Sequence, residues 1–119
     1  MSEYFNYEIK RIDDVVIFKV AEKRFDSQIA GLVKGEITIL LNAEEVKKLI
    51  FDLSDVEYCD SSGLSAILLA FRMLHDEGGE IRIAGANKSV RTLIKISQLD
   101  RILKMTDSVE EAIEELKGN

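Results

Sequence analysis

From Lys48 onward the chain alternates short apolar runs with amphipathic stretches, and this alternation restricts its fold more than any other feature. Lys48 to Leu53 is a brief, β-rich apolar run of the kind buried on both faces of a sheet. The stretch from about Ser61 to Glu77 has apolar residues at helical spacing and stops at Gly78 and Gly79. The run EIRIA, Glu80 to Ala84, predicts the next strand, and Lys88 to Ile96 places Val90, Leu93 and Ile94 on one helical face. Ile102 to Met105 reads as a last short strand. Ser108 opens a final helix carrying Val109, Ala112, Ile113 and Leu116, and with Glu111 three residues later it forms a capping box. Parallel neighbours need crossover connections, which are right-handed almost without exception, so these segments predict a parallel sheet with helices packed on it.

The first part of the chain supplies the sheet's side. Tyr4 to Ile12 and Val15 to Val20 are strand-like and are separated only by Asp13 and Asp14, a pair suited to a tight antiparallel turn. Asp26 or Ser27 can then cap a helix whose apolar positions Ile29, Leu32, Val33, Ile37, Leu40 and Leu41 follow the helical period. Gly35 and the β-branched Ile37, Thr38 and Ile39 weaken this helix, which must rely on packing. The expectation is an α/β fold: one domain over residues 1–119, a mixed, mostly parallel sheet of about four to five strands, and about four helices.

The segment DSSGLSAILLAF, residues 60–71, is where chemistry is most concentrated. Asp60, Ser61 and Ser62 each suit a helix N-cap, yet one cap needs only one of them. Gly63 falls in the first turn, where glycine costs roughly 0.5–1 kcal/mol relative to alanine. Close approach by another backbone would select it. Leu64, Ile67, Leu68, Phe71 and Leu74 form a stripe facing the core. The opposite side, through Ser62, Ser65, Ala66, Leu69 and Met73, is small or apolar as far as Arg72 and His75. Periodicity alone leaves two readings of that side open: a docking surface beside an exposed serine, or a flank covered by a neighbouring helix.

Composition removes several classes of function. Acidic residues outnumber basic ones by 22 to 16, for a formal charge of -6, so attraction to a phosphate backbone is not built into the surface and nucleic acid is not an expected partner. No stretch approaches the roughly 20 apolar residues of a membrane span, and MSEYFNYEIKR lacks a signal-peptide core, so a cytoplasmic protein without membrane insertion is expected. One cysteine, Cys59, and one histidine, His75, leave no multi-cysteine zinc site or dense metal cage, and no cofactor is expected. A serine nucleophile would need a base, and His75 lies about 20 Å from Ser61 along the same helix at 1.5 Å per residue. Neither a P-loop lysine nor a G-x-S-x-G elbow is present. A binding module is expected in place of an enzyme.

The run LIFDLSDVEYCDSSGLSAILLA closely resembles the core signature of STAS domains, the fold of bacterial anti-sigma factor antagonists: an apolar strand, an aromatic, DSSGL and an apolar helix. The resemblance takes in the opening hairpin, the AEKRFDS loop, the glycines after the second helix and LIKISQLDRILKMTDSVEEAI. Where the family commonly has a loop worded like Gly-Glu-Leu-Asp, this chain has Ala21, Glu22 and the longer KRFD, with Asp26 matching the family aspartate.

The resemblance implies that Ser61, the first serine of DSSGL, is phosphorylated. It implies a cycle in which the unphosphorylated protein sequesters an anti-sigma factor and frees a sigma factor, the anti-sigma factor acts as a serine kinase and releases itself, and a serine phosphatase resets the switch. The recognition surface expected from it comprises Asp26, Asp60, Ser61, Ser62, Gly63, Ala66, Leu69 and Met73. The same fold also serves as a non-switching accessory or scaffold subunit, in lipid-transport ABC assemblies or stress-signalling complexes, and DSSGL alone does not separate the two roles.

Overall fold

A computed structural model describes residues 4–117. Its main sheet holds β1 (Tyr7–Ile12), β2 (Val15–Val20), β4 (Lys48–Asp52), β6 (Glu80–Ala84) and β7 (Met105–Thr106), side by side in the order β1-β2-β4-β6-β7. β1 pairs antiparallel with β2, with Ile12 opposite Val15 across the two-residue turn, and every other pairing in this sheet is parallel. Asp13 takes the left-handed conformation that such a tight turn requires. A second, two-residue parallel ribbon joins β3 (Arg24–Phe25) to β5 (Tyr58–Cys59).

The helices are α1 (Ser27–Ala43), α2 (Ser61–Asp76), α3 (Lys88–Ile96) and α4 (Val109–Lys117). The strand order β2, β4, β6, β7 always advances in one direction, so crossovers of one hand must lay α1, α2 and α3 on the same face. Side-chain parity agrees. Val16, Phe18, Leu49, Phe51, Ile81 and Ile83 point into a core shared with Val33 and Ile37 of α1, Leu64 and Ile67 of α2, and Val90 and Ile94 of α3. The alternate residues Val15, Ile17, Ile50 and Ala84 face Ala112 and Leu116 of α4. α4 closes the far face, where Arg82 of β6 donates to Glu115 at 2.7 Å.

Most element boundaries follow the sequence pattern, with physical reasons for the departures. The opening strand begins at Tyr7, not Tyr4. The last strand is Met105–Thr106, not Ile102 to Met105, because Ile102 and Leu103 bond back to the Leu99 carbonyl in a turn that closes α3. α1 runs unbroken past Gly35, held by buried Ala30, Val33, Ile37 and Leu40. α2 ends at Asp76; Gly78 at φ +74° and Gly79 return their N–H groups to His75 and Leu74 in a Schellman stop.

Candidate functional site

The β3/β5 ribbon builds the site. β2 and β4 are adjacent parallel strands, and the chain leaving each one continues into a ribbon strand and then a helix. The register Arg24 to Tyr58 and Phe25 to Cys59 therefore brings Asp26 alongside Asp60 at the end of the ribbon. Both aspartates are N-caps: Asp26 accepts from the Gln28 N–H at 3.0 Å, and Asp60 accepts from Ser62 at 2.9 Å and Gly63 at 3.2 Å. Two capped helix N-termini thus open side by side.

Alternation along the ribbon sorts its residues. Phe25 and Cys59 point inward and are buried, and the Phe25 ring stacks on Phe51 of the main core at 6.2 Å between centroids. Arg24, Asp26, Tyr58 and Asp60 take the other face. The Arg24 guanidinium lies 4.4 Å from the Tyr58 ring centroid, and its Nε donates to Asp26 at 3.2 Å. The approach to β5 is tied down as well, since Glu57 and Tyr58 both donate to the Lys23 carbonyl and the Asn87 side chain donates to the Glu57 carbonyl at 3.1 Å.

Ser61 is exposed at the first position of α2, immediately after Asp60. Asp60 already satisfies the orphan N–H groups of Ser62 and Gly63, which leaves the Ser61 hydroxyl outside the capping network. Ser62 and Asp60 are half-buried around it. Gly63 is buried, and a Cβ at that position would stand 2.3 Å from the Phe25 carbonyl oxygen and 2.8 Å from the Cys59 sulfur. The close backbone approach anticipated for this glycine is the passage of β3 across the first turn of α2.

The expected recognition face is narrower in the structure. Ala66 is fully buried and Gly63 is enclosed, so neither presents a side to a partner; α1 lies against α2 and buries that flank. Met73 is half-buried and packs on the main core. Leu69 is half-buried too, but is not among the residues packed on the main core. The accessible cluster is Asp26, Asp60, Ser61 and Ser62, with Leu69 farther along α2.

Two exposed neighbours of this cluster were not read as site residues in the sequence: Arg24, and Ser27, read there only as a possible helix cap, which stands after Asp26 as Ser61 does after Asp60. The repeated Asp-Ser pair was a visible signal for Ser27; a two-residue strand gave none for Arg24.

Burial, with a smaller contribution from the adjacent Asp60 carboxylate, pushes the Cys59 thiol up to about 12. It is a protonated, packed side chain. Among the described residues, no three or more His, Cys, Asp or Glu are grouped to hold a metal ion, and no helix is long and apolar enough to cross a membrane.

Residues 6–112 match the STAS domain family. The chain belongs to the STAS family. A Thermotoga neapolitana protein named as an anti-sigma factor antagonist is 32% identical to this STAS domain over 114 residues, covering 96% of this chain and 98% of the relative. The crystal structure of a Thermotoga maritima protein with a name of the same kind superposes with a TM-score of 0.84 at 31% identity, covering 93% of this chain and 94% of that one. The anti-sigma factor antagonist SpoIIAA in its unphosphorylated form superposes with a TM-score of 0.81 at 19% identity, over 96% and 98% of the two chains. The phosphorylated form of the Bacillus cell fate determinant SpoIIAA gives 0.73 at 18% identity, over 93% and 99%. SpoIIAA shares the STAS fold.

Proposed function

We propose that this STAS domain is a bacterial anti-sigma factor antagonist whose partner binding is switched off by phosphorylation of Ser61. The observation that carries the reading is the position of Ser61: exposed, first in α2, with its hydroxyl free of the capping bonds that Asp60 makes. The names of the Thermotoga relatives support the anti-sigma factor antagonist part of the reading. A phosphoryl group adds about -1.5 to -2 charges, and a helix N-terminus accommodates such an anion through its dipole and N–H groups. The fold tolerates the modification. A partner surface matched to a neutral serine meets a dianion beside Asp60, and like-charge or desolvation mismatch across an interface costs several kcal/mol.

In this reading Asp26, Asp60, Ser61, Ser62 and Leu69 meet an anti-sigma factor that is also a serine kinase, in the bacterial cytoplasm, and a serine phosphatase restores the binding form. Gly63 and Met73 shape the surface from beneath. The test is to incubate the protein with ATP and a cognate histidine-kinase-like anti-sigma factor, map the phosphate by mass spectrometry, and measure complex formation before and after. Phosphate on Ser61 with loss of the complex is the expected result. A stable complex that never acquires phosphate would overturn the switch and favour an accessory role.

A further inference from the structure

We infer that Arg24 is the residue that receives the phosphate on Ser61, exchanging its contact with Asp26 for one with the phosphoryl group. The inference rests on the reading of Ser61 as the modified serine and concerns what the protein does with the phosphate afterwards. Arg24 sits on β3 opposite Tyr58, yet its guanidinium reaches forward to the carboxylate of Asp26, level with Asp60 in the ribbon's register. Ser61 is the next residue after Asp60. The extended chain advances about 3.3 Å per residue and neighbouring strands lie about 4.8 Å apart. A guanidinium at the level of Asp26 is therefore one short rotation from a phosphate on Ser61.

The present contacts of Arg24 suit an exchange. Its side chain is 65% exposed, whereas that of Asp26 is 15% exposed, so the arginine covers the aspartate from the solvent side and is free to leave. Asp26 keeps its own structural bond to the Gln28 N–H when Arg24 departs. The face of Tyr58 supports the guanidinium in its present place and leaves its N–H edges available. A phosphate dianion offers a guanidinium two parallel hydrogen bonds and twice the charge of a carboxylate, against a single Nε contact to Asp26. Glu22 and Lys23 line the same surface cleft as Arg24 and Asp26, and the two cap carboxylates, Asp26 and Asp60, both repel a phosphate. Phosphorylation thus changes two features of the surface: the neutral serine and the Arg24–Asp26 pair.

The experiment uses the full chain with phosphoserine installed at position 61 by genetic encoding, which requires no kinase. Phosphorus NMR follows the second ionisation of the phosphate, ordinarily near about 6. A neighbouring cation favours the dianion, so this ionisation should lie lower in the wild type than in Arg24→Ala by about 0.5 unit or more, with Arg24→Lys between them. Lys23→Ala, which removes an exposed charge of the same sign from the adjacent position, should leave it in place. In the unsubstituted protein the Arg24 Nε–H resonance should shift on phosphorylation, a readout independent of any variant's folding. Identical ionisation in the wild type and Arg24→Ala, equal shifts from Arg24→Ala and Lys23→Ala, or an unmoved Nε–H resonance would each overturn the contact. Failure here, with Ser61 still phosphorylated by the anti-sigma factor, removes the Arg24 contact and leaves the proposed function standing. The reverse result removes the switch and leaves the contact.

Discussion

Gly63 of α2 and Phe25 of β3 approach so closely that a Cβ on the glycine would stand 2.3 Å from the phenylalanine carbonyl oxygen. Backbone does not yield as a flexible side chain does, so any larger residue at 63 must push β3 away from α2. The Phe25 carbonyl also receives the Asp60 N–H, and Arg24 and Asp26 flank it, so the displacement passes straight into the site.

Gly63→Ala is therefore expected to lose about 1–3 kcal/mol, as over-packed positions do, despite alanine's better helix propensity. Urea unfolding checks the stability. Partner binding should fall as well, because Asp26 moves with β3. A variant as stable as the wild type would mean that the contact relaxes without cost.

Ser61→Ala should fold normally, bind the anti-sigma factor and resist phosphorylation. Ser61→Asp should change stability by no more than about 0.5 kcal/mol, as exposed sites do, while weakening association at least about tenfold, or 1.4 kcal/mol. Calorimetry of binding and of unfolding on the same samples separates these effects. Ser27→Ala is a necessary companion, since Ser27 repeats the position of Ser61 behind its own aspartate. The expected outcome is undiminished phosphorylation in that variant.

Removal of either cap should cost about 0.5–2 kcal/mol. Asp60→Ala strips the acceptor from two N–H groups and Asp26→Ala from one, so the former should be the more damaging in urea titrations. Equal losses would imply that the Arg24 pairing at Asp26 contributes as much as a capping bond.

Along α2, Leu69→Lys should leave stability nearly unchanged and weaken the complex. Ala66→Leu should instead destabilise by about 1–3 kcal/mol, since Ala66 is enclosed. Thermal denaturation beside a pull-down with the anti-sigma factor distinguishes a surface position from a packed one.

Cys59 gives a prediction in pH. Its thiol is raised in the native state from an ordinary value of 9.0 to about 12, so between these values the unfolded chain has released a proton that the native chain retains. Stability from this group is complete below about pH 9 and is lost as pH rises toward 12. The stability difference between wild type and Cys59→Ala should accordingly move in favour of the alanine variant from pH 8 to pH 10.5. A constant difference would show that the thiol titrates alike in both states.

The regular layers were legible because periodicity reports burial. EIRIA alternates into two cores, and Val90 and Ile94 mark the inner face of α3. The ribbon was not legible, since two residues are too few to display a period, and Arg24 and Tyr58 read as loop. Ala66 shows the other limit. Helical spacing predicts one buried stripe, but α2 packs against both the sheet and its neighbour α1 and is covered over a wider arc, which a small residue accommodates without changing the pattern. Gly63 was legible as an oddity; its cause required a partner strand that the sequence does not announce.

The ribbon meets the rest of the molecule through Phe25 and Cys59 on its inner side and carries Arg24 and Tyr58 on the other. The main sheet's register is fixed elsewhere, by the pairs from Val15 to Lys19 with Lys48 to Asp52. Substitutions at the exposed Lys23 and Arg24 should therefore alter what this surface presents without disturbing the main sheet. A short outward-facing strand on a fixed platform lets the surface change while the sheet beneath it stays the same.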